Sequence, residues 1–291
     1  MITTYGVTKS YGAKVALDGV NLNVPDGSIY GLAGPNGAGK TTLLGILAGL
    51  RDATSGDVAI DAKRTEIGVL SDTPQFDKWL TGHEVVDLAL RLAEPDADSI
   101  RVEEVLRQTG LGEAAHRRVG GYSRGMLQRL GIAATLVARP RLLLLDEPAS
   151  ALDPQGRREV LDLISRLRGS ATILFSSHIL ADVQEVCDAV GILAGGHLLF
   201  QGPIADLLVG SAVPRYSIRL RGTITPAITS LRKEPWVTQV SEYDGEILVE
   251  VRTIEEAETH LVPALARANV SVISIKPEEV SLERAFLELT R

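Results

Sequence analysis

The amino-acid sequence predicts an α/β protein that consists of a large first domain and a small second domain. Up to about Leu208, short aliphatic runs such as Leu142–Leu145 alternate with helical patterns, which is typical of a largely parallel sheet with crossover helices. From Arg215 onward, apolar and polar residues alternate, which predicts half-buried strands. The 291 residues, 45% of them hydrophobic, can bury a full-sized core. We therefore expect a first domain over residues 1–209 and a small α+β domain over residues 215–291.

The beginning of the first domain is expected to be antiparallel. Residues 7–24 show strand-like alternation, with turn signals at Tyr11-Gly12, Asp18-Gly19 and Pro25-Asp26-Gly27. These features predict a partly exposed β subdomain.

The rest of the first domain combines a buried sheet with a helical insert. Aliphatic runs at residues 28–33, 142–145 and 172–176 predict buried strands, each followed by polar residues that could face a ligand. A helical subdomain is expected over about residues 76–139, and the polar segment 71–80 leads into it.

The second domain is predicted to have the element order βαββαβ. A linker is expected over residues 210–214, and a closing helix over residues 281–289 with Leu282, Phe286 and Leu289 on one face. The strands are predicted near residues 216–221, 237–240, 247–252 and 272–275, and the helices at residues 226–231 and 254–268.

The composition argues against several classes of protein. A formal net charge of −7 and a pI near 5.4 argue against a nucleic-acid partner, because proteins that bind the phosphate backbone usually carry a basic patch. The single cysteine, Cys187, excludes an intrachain disulfide and is expected to be a small core residue. Apolar runs are too short to span a bilayer, and residues 1–9 lack a secretory signal. We expect a cytoplasmic protein.

A phosphate-binding loop follows the predicted strand at residues 28–33. The sequence after this strand matches the pattern GxxxxGK[ST] and precedes a helical run at residues 43–50. Glycines in such a loop let backbone N–H groups surround the phosphates, while Lys40 would reach the β and γ phosphates and Thr41 would offer its hydroxyl to Mg²⁺. The loop comprises Gly34, Pro35, Asn36, Gly37, Ala38, Gly39, Lys40, Thr41 and Thr42.

Two adjacent carboxylates end the aliphatic strand at residues 142–145. Asp146 would hold Mg²⁺ through water, and Glu147 would orient or deprotonate the attacking water. An acidic pair at a strand end is a weak signal alone, because such carboxylates are mostly solvated surface groups. Together with the phosphate loop, it predicts phosphoryl-transfer chemistry.

Residues 122–129, Tyr-Ser-Arg-Gly-Met-Leu-Gln-Arg, resemble the signature sequence of the ATP-binding cassette (ABC) ATPases. The resemblance covers about residues 1–208. It implies a P-loop NTPase fold of the ABC type, with a RecA-like core, an antiparallel β subdomain and a helical subdomain. It also implies ATP and Mg²⁺ as cofactors. Arg124 and Met126 depart from the glycine and glutamine that are usual in the signature.

The resemblance assigns expected roles to further residues. Ser123 and Gly125 would contact the γ-phosphate bound by the opposite subunit, and Asp153 would bridge the two subunits. Tyr11 would stack on adenine, although an ordinary packing role is the alternative. His178 would contact the γ-phosphate and hold Glu147 and water in line.

One family element does not match cleanly. ABC motors generally place a glutamine after the strand at residues 67–70, where this chain has Ser71-Asp72. Asp72 could bind Mg²⁺ but cannot donate a hydrogen bond when ionised, and Gln75 could substitute only if the loop is longer. The segment 76–83 is where the family docks a coupling helix of the membrane subunit, with Phe76 or Trp79 as anchors; the alternative is that both are core residues.

The resemblance implies an ATP-hydrolysing subunit that dimerises head to tail, with itself or a homologous subunit, around two ATP molecules. It would drive a separate membrane permease from the inner face of the membrane, and the small second domain favours an exporter of drugs, antibiotics or other small molecules by analogy. The alternatives are an ABC ATPase that acts on ribosomes or DNA and a binding module without turnover. One set of motifs and no sustained heptads argue against the first, and Glu147 and His178 argue against the second.

Overall fold

The computed structural model describes residues 1–150, 152–210, 214–243, 245–277 and 282–289. The chain forms two compact units, Met1–Asp206, to which Leu289 also belongs, and Leu207–Glu288. Within the described residues, no helix combines the length and the apolar character that a bilayer span requires.

The elements follow one another in an α/β order and then in an α+β order. Up to the end of the helical segment they are β1 (Ile2–Tyr11), β2 (Lys14–Val20), β3 (Asn23–Val24), β4 (Ile29–Ala33), α1 (Lys40–Leu47), β5 (Ser55–Ile60), β6 (Ile67–Leu70), α2 (Gly82–Ala93), α3 (Ile100–Gln108) and α4 (Arg124–Leu136). They continue with β7 (Leu142–Leu145), α5 (Pro154–Arg166), β8 (Thr172–Ser177), α6 (Leu180–Val186), β9 (Ala189–Ala194), β10 (His197–Pro203) and α7 (Ile204–Gly210). The last are β11 (Arg215–Arg221), α8 (Thr225–Leu231), β12 (Val237–Tyr243), β13 (Glu246–Val251), α9 (Ile254–Arg267), β14 (Ser271–Pro277) and α10 (Leu282–Leu289).

A six-stranded sheet forms the centre of the first unit, in the order β10-β9-β4-β8-β7-β6. The five strands from β9 to β6 are parallel, and β10 pairs antiparallel with β9 at one edge. Every residue of β4, β7 and β8 is buried, which explains why these strands are almost continuously apolar. Because β4, β7 and β8 are adjacent and parallel, the residues that follow them meet at one edge of the sheet.

The predicted antiparallel region forms a second sheet, in which β1 pairs with β2, β3 and β5. The chain turns after Tyr11, where Gly12 has a φ of +59°. The prediction of a turn at Asp18-Gly19 was wrong, because both residues lie within β2. The register between β1 and β2 shifts at this point, and Gly19, with a φ of +63°, permits the resulting bulge.

Three helices, α2, α3 and α4, occupy the segment between β6 and β7. They pack on one another through buried aliphatic side chains such as Val86, Leu106 and Leu130. Residues 71–80 form the irregular connection that precedes α2.

The second unit contains a four-stranded antiparallel sheet in the order β12-β13-β11-β14. Side chains of α8 and α9, including Leu231 and Leu261, form a buried cluster with alternate residues of the sheet such as Ile218 and Val249. Of the expected linker at residues 210–214, Gly210 ends α7 and Pro214 precedes β11, whereas residues 211–213 lie outside the described residues, as does residue 281 of the expected closing helix. In α10, Leu282 is buried, Phe286 is half-buried and Leu289 is exposed.

Candidate active site

The phosphate loop connects the buried strand β4 to α1 and closely approaches neighbouring backbone. Gly39 has a φ of +111°, and a Cβ atom there would lie 2.6 Å from the carbonyl oxygen of Ala16. A Cβ atom on Gly34 would lie 2.1 Å from the carbonyl oxygen of Leu193. These two positions therefore require glycine, and they hold the loop directly above the N-terminus of α1.

Lys40 is the first residue of α1, and its side chain folds back under the loop. The Nζ atom donates hydrogen bonds to the carbonyl oxygens of Gly34 at 2.7 Å and Pro35 at 3.2 Å. It also lies 3.3 Å from Oε1 of Glu147. Lys40 is only 6% exposed, so its ammonium group has little contact with water. The oxygen atoms on the inner side of the loop compensate its buried charge.

Glu147 is the second residue after β7, and its side chain lies between those of Lys40 and His178. Its Oε2 atom lies 2.8 Å from Nδ1 of His178, which comes just after β8. Its backbone has a φ of +49°, the left-handed region that costs a non-glycine residue about 1 kcal/mol. The backbone N–H donates to Oγ of Ser176 at 2.9 Å, which helps to hold this conformation.

Ser176 forms hydrogen bonds with both acidic residues that follow β7, Asp146 and Glu147. It is fully buried, and its hydroxyl donates a hydrogen bond of 2.6 Å to Oδ1 of Asp146 while it accepts from the N–H of Glu147. A single side chain of β8 therefore fixes both Asp146 and Glu147 on the adjacent strand.

A cavity of about 440 Å³ brings together most of the residues that the sequence nominated. Its lining includes residues from the phosphate loop, from the strand ends and from the first antiparallel strands. The nominated residues that line it are Tyr11, Asn36, Gly37, Ala38, Gly39, Lys40, Thr41, Thr42, Asp72, Glu147 and His178.

Other nominated residues lie elsewhere. Gly34 and Pro35 hold Lys40 from below without lining the cavity. Ser123 is the exposed N-cap of α4 and accepts from the N–H of Met126 at 3.2 Å, and Gly125 is the second residue of the helix. Asp153 is the exposed N-cap of α5 and accepts from the N–H of Gly156 at 3.0 Å. Ala151 lies outside the described residues.

Sequence reasoning missed four residues that line this cavity, Lys14, Ala16, Arg124 and Ser150. Lys14 follows Tyr11 across a tight turn, so a cation beside a nominated aromatic residue was an available signal. Arg124 had been noted only as a departure from glycine, yet this exposed residue adds a third cation to Lys14 and Lys40 at the cavity wall.

Tyr11 is exposed and is not a packing residue of the core. Its side chain is 43% accessible, with the Nζ atom of Lys9 5.1 Å from the ring centroid. Nη1 of Arg51 donates a hydrogen bond of 2.9 Å to the phenolic oxygen. The ring is therefore held at the cavity by two cations, with a flat surface suited to a base.

Asp72 lies at the cavity beside Ser150, whose hydroxyl donates to Oδ1 of Asp72 at 3.3 Å. Gln75 lies in a separate cavity of about 450 Å³ that is also lined by Phe76. Gln75 thus lies outside the cavity that contains the phosphate loop, whereas Asp72 lines that cavity.

The oxygen donors near the loop fit Mg²⁺ only in part. Thr41 and Asp146 line a neighbouring cavity together, and one oxygen of Asp146 already accepts from Ser176. Among the residues that the structure describes, no group of three or more His, Cys, Asp or Glu side chains could hold a metal by itself. A hydroxyl and a carboxylate are hard donors of the type that Mg²⁺ uses when phosphates and water complete its shell.

The segment that precedes α2 exposes a tryptophan. Trp79 is 66% accessible and Phe76 is half-buried, so the alternative that both are core residues is wrong for Trp79. The helix itself is fixed by a capping box: Thr81 Oγ1 accepts from the N–H of Glu84 at 3.2 Å, and Oε2 of Glu84 accepts from the N–H of Thr81 at 2.7 Å. The hydrogen bond from the Thr81 backbone lowers the pKa of Glu84.

A parallel sheet with a phosphate loop, a buried lysine and paired carboxylates at its carboxyl edge defines a P-loop nucleotide-binding protein. The family described as "ABC transporter" matches residues 17–150. The chain is 35% identical to the ABC transporter ATP-binding protein YxlF of Bacillus subtilis strain 168, over 99% of both chains. It is 32% identical to the daunorubicin resistance ATP-binding protein DrrA3 of Streptomyces coeruleorubidus, over 99% of this chain and 95% of the relative.

The fold agrees with these relatives. A solved dimeric ATP-binding cassette, in a post-hydrolysis state with bound ADP and Pi, superposes with a TM-score of 0.66 at 26% identity, over 70% of this chain and 99% of the other. The chain belongs to the ATP-binding proteins of ABC transporters: it is an ABC ATPase, as the signature resemblance predicted. The predicted ABC-type P-loop fold is also confirmed.

Proposed function

We propose that two copies of the chain bind two ATP molecules between them and drive a separate membrane permease by cycles of closure and hydrolysis. In each site, the loop at residues 34–42 of one subunit would hold the phosphates, and Ser123 and Gly125 of the other would cover the γ-phosphate. Both residues are at the start of α4, where backbone N–H groups and the helix dipole favour an anion. The dimeric cassette among the solved relatives supports this arrangement.

The chemistry would depend on Glu147. One carboxylate oxygen is oriented by His178 and the other faces Lys40, so the group can accept a proton from a water that attacks the γ-phosphate. When nucleotide enters, Lys40 would exchange its contact with Glu147 for the phosphate oxygens and stabilise the charge that develops on them. Mg²⁺, held through Thr41 and Asp146 with Asp72 nearby, would neutralise phosphate charge.

Contacts between the two subunits would link closure of the dimer to hydrolysis. Asp153 is exposed at the start of α5 and would face the second subunit, while Tyr11 would stack on adenine. Loss of the γ-phosphate removes the anion that both subunits contact. The dimer would then open.

The permease is proposed to dock a helix beside α2. The cavity of about 450 Å³ that contains Phe76 is bordered by Leu92, which is 79% exposed, and Trp79 lies exposed in the same connection. A cavity lined by both apolar and polar side chains, next to an accessible tryptophan, suits the side chains of a short partner helix. This contact would hold the protein at the inner face of the membrane, in the cytoplasm.

An exporter is the favoured type of transporter. The support is the name of DrrA3, a daunorubicin resistance protein that aligns over almost the entire chain, second unit included. The transported compound would therefore be a drug, an antibiotic or another small molecule, which the ATPase itself does not contact.

The observation that carries the proposal is the position of Glu147 between Lys40 and His178 above the phosphate loop. The test is the variant Glu147→Gln, which keeps the shape of the side chain and removes its basicity. We expect phosphate release to fall about 100-fold or more, in line with the usual contribution of a general base. We also expect MgATP to produce a stable dimer of this variant in size-exclusion chromatography.

Two results would contradict the proposal. Equal phosphate release from Glu147→Gln and the wild type would remove the catalytic role, and a variant that stays monomeric with saturating MgATP would remove the sandwich. The matched control is Glu159→Gln, a change of the same chemistry at an exposed position of α5, where Glu159 pairs with Arg129 at 3.1 Å. For transport, the chain purified from detergent-solubilised membranes should carry an integral membrane subunit with it.

A further inference from the structure

An ion pair with a buried carboxylate joins α5 and α6. Helix α5 begins directly after Asp153, and α6 begins two residues after His178. Both the Nε and the Nη2 atoms of Arg157 contact Oδ1 of Asp182, at 2.6 Å and 2.5 Å. Asp182 is only 3% exposed, and the Arg157 side chain is 30% exposed. A charge-assisted contact of this kind from a planar guanidinium restricts direction as well as distance.

Each partner lies in the first turn of its helix. Arg157 donates its backbone N–H to the carbonyl oxygen of Asp153, the N-cap of α5, at 2.9 Å. Asp182 donates its backbone N–H to the carbonyl oxygen of Ile179, the N-cap of α6, and Ile179 follows His178 directly. The ion pair therefore connects the residue expected at the subunit interface with the histidine that orients Glu147.

The buried carboxylate depends on this partner. Burial raises the pKa of Asp182, and the hydrogen bond from Arg157 opposes that rise. Without the guanidinium, the carboxylate would be an unpaired charge in the interior. A shift of α5 would therefore carry the first turn of α6 with it, because separating the pair is costly.

We propose that Arg157 and Asp182 are positioning residues that couple the position of Asp153 to that of His178, so that contact with a second subunit aligns His178 and Glu147 for hydrolysis. This inference rests on the proposed dimeric function and adds a route by which one site senses closure. The side chains of the pair do not line the nucleotide cavity, and they act through the helices that carry the other two residues.

A second ion pair between the same elements provides a control. Arg168, two residues beyond α5, pairs with Asp188, two residues beyond α6, and its Nη2 atom donates to the carbonyl oxygen of Val186 at 2.7 Å. This pair ties the opposite ends of the two helices, away from Asp153 and His178. Arg168→Ala should lower the melting temperature without changing kcat by more than twofold.

The test variant is the double substitution Arg157→Met with Asp182→Leu, which removes both charges together and so avoids an unpaired buried ion. We expect kcat for ATP to fall about tenfold while KM changes less than twofold, because the phosphate loop is untouched. Arg157→Lys, which keeps the charge and loses the planar fork, should recover part of kcat. A wild-type kcat in the folded double variant would overturn the proposal.

A double-mutant cycle tests the coupling itself. Asp153→Ala should lower kcat in the wild-type background and have little further effect in the Arg157→Met, Asp182→Leu background, whereas it should add to Arg168→Ala. Additive effects in the first background would overturn the coupling, as would a loss of kcat in Arg168→Ala equal to that of the double variant. Failure of the proposed function shows separately, as wild-type hydrolysis in Glu147→Gln.

Discussion

Nδ1 of His178 lies 2.8 Å from Oε2 of Glu147, across the gap between two adjacent parallel strands. The glutamate side chain is 12% exposed and the histidine side chain 39%, so the contact joins a largely buried carboxylate to an imidazole that solvent can reach. The contact fixes one oxygen of Glu147 and leaves the other beside Lys40. Small changes at His178 should therefore act on hydrolysis through the orientation of Glu147.

Replacement of His178 by alanine should lower kcat by about 100-fold, which is the lower range for the loss of an acid–base or orienting group. Equilibrium binding of ATP should change little, because the phosphate loop and Lys40 remain. His178→Gln offers a donor of similar reach and should recover part of the rate. Phosphate release and ATP binding measured on the same preparations check this expectation, and a kcat within twofold of the wild type for His178→Ala would contradict it.

Ser176→Ala should destabilise the protein by about 1–3 kcal/mol, because it leaves the N–H of Glu147 and an oxygen of Asp146 without their shared buried partner. Urea unfolding monitored by circular dichroism measures this change. Ser28→Ala is the matched control, since the Ser28 hydroxyl donates to the carbonyl of Pro25 in an exposed turn and its loss should cost less than ~0.5 kcal/mol. Equal losses of stability in the two variants would show that Ser176 has no special role.

The sequence predicted those parts of the molecule that local patterns determine. The strand at residues 67–70 and the strand at residues 142–145 occupy the predicted residues. At residues 142–145 the reason is that an aliphatic run that ends in polar residues specifies a buried parallel strand, whereas residues 67–70 form an edge strand in which Leu70 is buried and Val69 is exposed. The phosphate loop was predictable because its glycines and Lys40 are contiguous in the sequence. By contrast, the turn predicted at Asp18-Gly19 is a bulge, because pairing with β1 decides the register there.

Contacts between distant residues had no local signal. Ser176 lies in a buried strand where a serine is unremarkable, and only the adjacency of β7 and β8 gives it two acidic partners. Arg157 and Asp182 belong to different helices, so their pairing depends on how these helices pack. Arg124 lies in the helical segment, and it lines the cavity of the phosphate loop only after this segment and the central sheet have folded. Tertiary packing, which a single sequence does not display, creates these relationships.

Asp72→Asn should raise the Mg²⁺ concentration that half-saturates hydrolysis by about tenfold, equivalent to an interaction of ~1.5 kcal/mol with the charged group. The reason is that Asn keeps an acceptor for the hydroxyl of Ser150 but removes the negative charge beside the phosphate loop. Ser150→Ala is the control, because it removes the hydrogen bond and keeps the charge, and it should leave the Mg²⁺ dependence unchanged. Magnesium titrations of phosphate release distinguish the two variants. An unchanged midpoint for Asp72→Asn would exclude Asp72 from the metal site.

The capping box at Thr81 should make the start of α2 sensitive to acid. The pKa of Glu84 is lowered in the folded protein, first by the hydrogen bond from the Thr81 backbone and then by the Thr81 hydroxyl. A carboxyl group whose folded pKa is depressed contributes stability above its unfolded pKa, and this contribution is lost as the pH falls through the folded pKa. The segment that carries Trp79 should therefore loosen from α2 in acid before the central sheet unfolds.

Thr81→Ala should move the pKa of Glu84 upward toward its usual value, because the hydroxyl contact is lost while the backbone contact remains. Loss of the N-cap oxygen of Thr81 should also cost about 1 kcal/mol at neutral pH. Thr81→Ser keeps that oxygen and is the matched control, with a pKa for Glu84 like that of the wild type. Carbon-detected NMR titration of the Glu84 carboxyl measures both. If Thr81→Ala and Thr81→Ser titrate alike, the hydroxyl does not stabilise the ionised Glu84, and the acid sensitivity of α2 must have another origin.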